Sequence, residues 1–202
     1  AYNYGCRVTG VTISPEQLNY AQQRIARAGL ENRVELRLCD YRELTGSFDK
    51  LVSIEMIEAV GHHYLATFFR KCHSLLKPDG EMLLQAITIP DDRYDYYRRS
   101  VDFIQKYIFP GGCLPCLGVI SDTVCRETDL RITHLEDFAG SYAQTLMHWR
   151  ENFCASTDQL TRLGFDESFQ RTWDYYFCYC IAGFLARQIG VAQLLLKRPG
   201  AR

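Results

Sequence analysis

FDKLVSIEMIEAVG, Phe48 to Gly61, is the stretch whose reading decides the fold. An acid-led entry, an apolar run too short to span a membrane, then a carboxylate and a glycine read as a buried parallel strand. Such a strand delivers Glu58 to a ligand crevice at its carboxyl end, where open α/β sheets bind their ligands.

Upstream of it, Arg7 to Ser14 (RVTGVTIS) alternates as a strand. PEQLNYAQQRIARAG then has the spacing of a helix, with Leu18, Ala21 and Ile25 on one face and Gly29 as its stop. Ser14 suits the N-cap and Pro15 the first helical position. Val34 to Asp40 (VELRLCD) gives a second strand and Leu51 to Met56 the third. Downstream, His62 to Lys77 reads as a helix closed by Pro78, Asp79 and Gly80, and Glu81 to Thr88 (EMLLQAIT) as a fourth strand. This alternation predicts an α/β fold with a doubly wound sheet. Nucleotide folds of that kind open with a strand ending in a glycine-rich turn, and no GxGxG precedes Arg7. The first, central strand and its loop are therefore expected to be missing. The chain begins at Ala1 without an initiating Met and reads as a piece of something longer.

From Pro90 the rhythm changes. DDRYDYYRRSVDFIQKYIFPGGCLPCLGVI predicts a helix rich in Tyr and Arg, then a loop broken by Gly and Pro, so that 90–128 reads as an insertion above the sheet, a lid or substrate wall. Arg131 to Leu135 fits a short strand. Gly140 to Ala155 fits a helix with Tyr142, Leu146, Trp149 and Phe153 along one face, Asp166 to Arg187 a long aromatic helix, and Gly190 to Lys197 a last strand.

A chain of 202 residues, 47% hydrophobic and 23% charged, suits one domain, here a partial one over 1–202. With 23 basic and 24 acidic residues it shows no electrostatic footprint for nucleic acid. No apolar run approaches a membrane span and no signal peptide opens the chain, so a cytoplasmic protein is expected. Nine cysteines, an odd number, argue for reduced and mostly buried thiols. Cys113 and Cys116 form a CxxC without the second pair a zinc site needs, and His62 and His63 lack a third ligand at useful spacing. No metal is expected.

Taken in order, GVTISPEQ, FDKLVSIEMIEAVGHHY, LLKPDGEMLLQAI, DFIQKYIFPGGCLP, SYAQTLMHWRENF and YYFCYCIAGFLARQIGVAQLLLKRPG resemble the cyclopropane-fatty-acyl-phospholipid synthases, class I S-adenosylmethionine-dependent methyltransferases. The resemblance runs from Arg7 to the end. LLKPDGE recurs in many methyltransferases; IFPGGCLP and SYAQTL together with EMIEAVG are specific. IFPGGCLP and the Gln of LLQAI look closer to the plant-type and related bacterial branch than to the mycobacterial one. The resemblance implies S-adenosylmethionine as cofactor, with Thr12, Ile13 and Gln17 at one strand end, Asp40 and Tyr41 near the adenine, and Ile54 and Glu55 also toward the cofactor. It further implies a bound bicarbonate as base, met by Glu58 and Tyr142, with Cys180 nearby. The family's His in the strand after LL is Gln85 here, which can hydrogen-bond an anion but carries neither proton nor charge.

The reaction so implied adds a methylene bridge across the cis double bond of an acyl chain in a membrane phospholipid. A neutral alkene attacks a sulfonium methyl and leaves a carbocation, so the site needs an oriented base and a dry aromatic lining. Peripheral membrane contact follows, for which Tyr94, Tyr96, Tyr97, Arg98 and Arg99 offer phosphate-binding and interfacial groups, or else form a solvated helix. The same chemistry could end in a methyl branch or a methylene. A homodimer is one assembly open to such a chain. A different class of reading is a truncated, non-catalytic fragment or partner-binding remnant, since an absent central strand leaves the Arg7 to Ser14 and Leu51 to Met56 strands with unpaired backbone groups.

Overall fold

The computed structural model describes residues 1–201, which divide into two compact units, Ala1–Gly46 and Ser47–Arg202. In the first unit β1 (Val8–Thr12) and β2 (Val34–Leu38) lie parallel, joined through α1 (Pro15–Arg27). Ser14 caps α1 as its side chain suggests: its hydroxyl accepts from the Gln17 N–H at 3.2 Å. Gly10 leaves room for its register partner on β2: a Cβ there would sit 2.8 Å from Cδ2 of Leu36, so the Leu36 side chain would have to shift. No residue of this unit is buried.

The second unit holds β3 (Phe48–Ile54), α2 (Ile57–Val60), α3 (Leu65–Leu75), β4 (Leu76–Thr88), α4 (Asp91–Tyr97), α5 (Leu117–Glu127), β5 (Arg131–Asp137), α6 (Ala139–Ala155), α7 (Thr157–Arg162), α8 (Glu167–Leu185) and β6 (Gly190–Lys197). Its sheet has the order β3-β4-β6-β5, with β3 parallel to β4 and β6 antiparallel to both neighbours. On one side of the sheet α3 packs against β3, β4 and α5. Phe68, Phe69, Met82, Leu84, Ile120 and Leu194 are wholly buried in this unit. On the other side Val191 joins Ala143, Leu146, Phe177 and Phe184 in a cluster built by α6 and α8. Burial of these side chains, each worth about 2 kcal/mol, carries the stability of the unit.

Most expected elements are present, and the differences have physical causes. β3 is not a buried strand: it is the edge of its sheet, and Val52 and Ile54 are 61% and 56% exposed. β1 and β3 are each the edge of a separate sheet, which agrees with the expectation that the strand between them is absent. The helix expected from His62 begins as a 3-10 turn over His62–Tyr64, after Gly61 at φ 79°, and ends at Leu75, where the chain enters β4 earlier than expected. α5 and α7 are helices that the sequence pattern does not predict, the first because Gly118 sits in its opening turn. Trp149 is 54% exposed and lies off the buried face of α6. The thiols are all free, but only Cys72 and Cys116 are buried; four of the nine are exposed. No helix among the described residues is long and apolar enough to cross a membrane.

Candidate active site

The site grows from the way β3 ends. Through Ile54 it follows β4 in register with Gln85, and the Glu55 N–H still donates to the Gln85 carbonyl at 2.9 Å. Glu55 then adopts φ 51°, a left-handed conformation that a non-glycine residue holds only when its surroundings enforce it. The chain leaves the ladder there. The next inward N–H on that side of β4, that of Ile87, is taken by a side chain instead: Glu58, in α2, accepts it through Oε1 at 2.6 Å. A carboxylate thus substitutes for the missing strand residue.

Around this turn the polar groups converge. Gln85 Nε2 donates to Glu55 Oε1 at 2.7 Å, and the Tyr142 hydroxyl, brought by α6, donates to the same oxygen. Gln193 Nε2 donates to Gln85 Oε1 at 2.8 Å. Glu58 Oε2 is buried with no hydrogen-bond partner among the described residues. Burial, with a smaller push from the Glu55 charge, moves the Glu58 carboxyl up to about 7, so it exchanges its proton near neutrality. Burial and then the bond to Glu55 hold the Tyr142 hydroxyl well above its ordinary range, as a donor. Its ring lies 5.3 Å from that of Phe184. Cys180 is half-buried in the same α6–α8 cluster beside the Tyr176 hydroxyl, and burial pushes its thiol up to about 11.

The structure therefore gathers Glu55, Glu58, Gln85 and Tyr142 in one polar group, with Cys180 in the adjoining cluster. Ile54 points to solvent. In the first unit, Thr12 and Asp40 lie at the carboxyl ends of β1 and β2, joined by the bond from the Cys39 N–H to the Thr12 carbonyl. There the Thr12 hydroxyl donates to Gln17 Oε1 at 2.9 Å, Ile13 is 78% exposed and Tyr41 half-buried. Hydrogen bonds from Arg42 hold the Asp40 carboxyl down at about 2. Gln193 is the member of the group that the sequence reading did not single out. Its signal was a lone polar residue within the apolar run GVAQLLLK.

The tempting clusters elsewhere are otherwise engaged. His62 shares a 2.7 Å hydrogen bond with Tyr94, Cys116 caps α5, and no group of three metal-ligating side chains is assembled among the described residues. Arg98 and Arg99 both reach Asp95, beside a cavity of about 280 Å³ lined by Asp95, Tyr96, Arg99 and Ser100.

Helices on both faces of a mixed sheet, with the polar group at the carboxyl end of its parallel strands, define a class I methyltransferase fold. The cyclopropane synthase MmaA2 of Mycobacterium tuberculosis superposes with a TM-score of 0.88 over 97% of this chain and 71% of its own, at 24% identity. The chain belongs to the mycolic acid cyclopropane synthetase family, which it matches over residues 1–194. Its relatives include the tuberculostearic acid methyltransferase UfaA1 of M. tuberculosis, 44% identical over 97% of this chain and 46% of that protein. The cyclopropane-fatty-acyl-phospholipid synthase of Escherichia coli is 38% identical over 98% of this chain and 49% of its own. The mycolic acid cyclopropane synthase CmaA1, solved with SAH and CTAB, superposes with a TM-score of 0.86 at 28% identity over 95% of this chain and 70% of that one. The chain thus spans about half the length of the first two relatives.

Proposed function

We propose that the protein is an S-adenosylmethionine-dependent transferase that adds a methylene bridge across the cis double bond of an unsaturated acyl chain in a membrane phospholipid. The observation that carries this reading is Glu58: a buried carboxyl, half-partnered, titrating near neutrality, in a chain whose relatives are named for methyl transfer and cyclopropane formation. When bound, the cofactor supplies an electrophilic methyl group and a bicarbonate supplies a base. The donor set fits both. Glu58 Oε2 either donates to or accepts from an anion that itself carries a proton. Thr12 holds Gln17 Oε1, which leaves the Gln17 amide N–H groups for ribose or carboxylate oxygens, beside Ile13, Asp40 and Tyr41. Glu55, with Ile54 before it, faces the cofactor.

Tyr142 keeps the Glu55 carboxylate oriented, Gln85 serves as a neutral hydrogen-bonding stand-in for the family's His, and Cys180 lines the anion site. The rings of Tyr142, Phe184 and Tyr176 keep water from a carbocation and stabilise it through their faces. The segment 90–128 is the substrate wall, with the exposed Tyr96, Arg98 and Arg99 meeting the membrane surface, whereas Tyr94 is buried against His62 and serves the core. A second reading, in which the cation is quenched to a methyl branch, draws on the 44% identity to a protein named for tuberculostearic acid methylation.

The test has two arms. Calorimetry with S-adenosylhomocysteine should give a dissociation constant on the order of micromolar. Expression with methyl-labelled methionine, followed by lipid mass spectrometry, should place label in acyl chains, as a ring or a branch. Unlabelled acyl chains would sink both readings.

A further inference from the structure

Gln193 stands opposite Gln85 across the β4–β6 ladder, on the sheet face that carries Ile87 and Val191 into the α6–α8 cluster. Both strands are otherwise apolar at their centres. Two glutamines facing each other on a buried sheet face call for a reason. An amide has a polarity, one end donating and the other accepting, and a carboxylate only accepts. Gln85 must therefore turn its NH2 end toward Glu55, as it does. Gln193 makes the same choice from the other side by donating to Gln85 Oε1.

We propose that Gln193 is a positioning residue: it fixes the polarity of the Gln85 amide and, through Gln85, the pair of donors that orients Glu55. This rests on the reading of Glu55 as a cofactor-facing residue. The relay runs in one direction, from Gln193 to Gln85 to Glu55, with Tyr142 closing on the same Glu55 oxygen. Gln85 is only 8% exposed, so an amide turned the other way has no water to satisfy it and sets its oxygen against the carboxylate. Glu55 is also anchored through its backbone, its N–H on the Gln85 carbonyl. Gln85 thus holds Glu55 at both ends, and Gln193 holds Gln85.

Q193E tests polarity at constant shape. Its carboxylate accepts and does not donate, so it competes with Glu55 for the single NH2 of Gln85, and the amide loses its fixed polarity. The titratable groups that face this part of the sheet are Glu136, the register partner of position 193 on β5, then Glu55 and Tyr142, reached through Gln85, Glu58, which feels the Glu55 charge, and Tyr176 and Cys180 of the α6–α8 cluster. Wild type carries all of these, so the difference between wild type and Q193E isolates the introduced carboxyl. In the unliganded full chain, nuclear Overhauser contacts between the Gln85 NH2 protons and the Tyr142 ring should be present in wild type. They should weaken in Q193E at pH 8 and return toward pH 5, when the introduced carboxyl gains a proton and donates again. S-adenosylhomocysteine binding should weaken about tenfold in Q193E at pH 8 and recover over the same interval, whereas Q193M should weaken it less and without pH dependence.

Contacts undiminished in Q193E at pH 8, or Q193E and Q193M binding alike at every pH, overturn the proposal. Should Q193E not fold, the wild-type spectrum still decides, because a Gln85 NH2 that contacts position 193 rather than Tyr142 refutes the stated polarity. Wild type that fails to bind S-adenosylhomocysteine overturns the functional reading instead, and the contacts in the free protein still judge the relay.

Discussion

Replacing Glu58 by Gln should make the protein relatively more stable as pH rises. The native carboxyl sits at about 7 against an ordinary 4.5, because burial disfavours its charge. Between those two values the folded state holds a proton that the unfolded chain has released, so the contribution of this group to wild-type stability falls with rising pH across that window and is flat on either side. At about 1.36 kcal/mol per pH unit, the interval from 4.5 to about 7 amounts to about 3 kcal/mol. Gln keeps the acceptor for the Ile87 N–H and cannot ionise. It also places an NH2 where Oε2 lacks a partner, a penalty of about 1–3 kcal/mol that does not vary with pH. The pH slope therefore isolates the charge. Urea unfolding followed by fluorescence is suitable, since Trp149 and Trp173 both lie in the second unit. The stability of E58Q relative to wild type should climb by about 3 kcal/mol from pH 4.5 to pH 8, a midpoint displacement of roughly 1–2 M urea. A difference that stays constant over that range refutes the reasoning.

Y142F removes a donor to Glu55 and should lower turnover by about tenfold to a hundredfold while unfolding shifts by only about 1 kcal/mol, read by steady-state kinetics beside urea denaturation. S14A should destabilise the first unit by about 1 kcal/mol through loss of the α1 cap, measurable from its helical amides by NMR. Iodoacetamide at pH 8 should modify the exposed Cys6, Cys125 and Cys178 within minutes and spare Cys72 and Cys180, whose thiols burial pushes up to about 12 and 11; peptide mass spectrometry gives the order of labelling.

Much of the fold could be read from the chain because its signals are local. Ser14, Pro15 and the Leu18–Ala21–Ile25 spacing specify α1 without help from elsewhere, and the apolar runs of β4 and β6 could hardly be anything but strands. What stayed hidden depends on partners distant in sequence. Whether Phe48–Ile54 is buried or an edge depends on which strands pair with it, and alternation along a single strand does not report that. At the site, Glu58 was marked by its place after an apolar run. Its half-satisfied state required the Ile87 N–H, 29 residues away. Gln193 becomes meaningful only through the antiparallel register that sets it against Gln85, 108 residues earlier. The left-handed turn at Glu55 carries no compositional mark, since glycine or asparagine is the usual signal for one.

The absence of any buried residue in Ala1–Gly46 bears on how the molecule breathes. A βαβ element without an interior of its own has little to resist local opening beyond hydrogen bonds and the α1 cap. Its amide protons should exchange with solvent deuterium through sub-global fluctuations, well before those of Met82, Leu84 and Leu194 in the centre of the larger sheet, whose exchange waits for the whole unit to unfold. A protease at low dose should likewise cut first within the first 46 residues and leave the remainder intact.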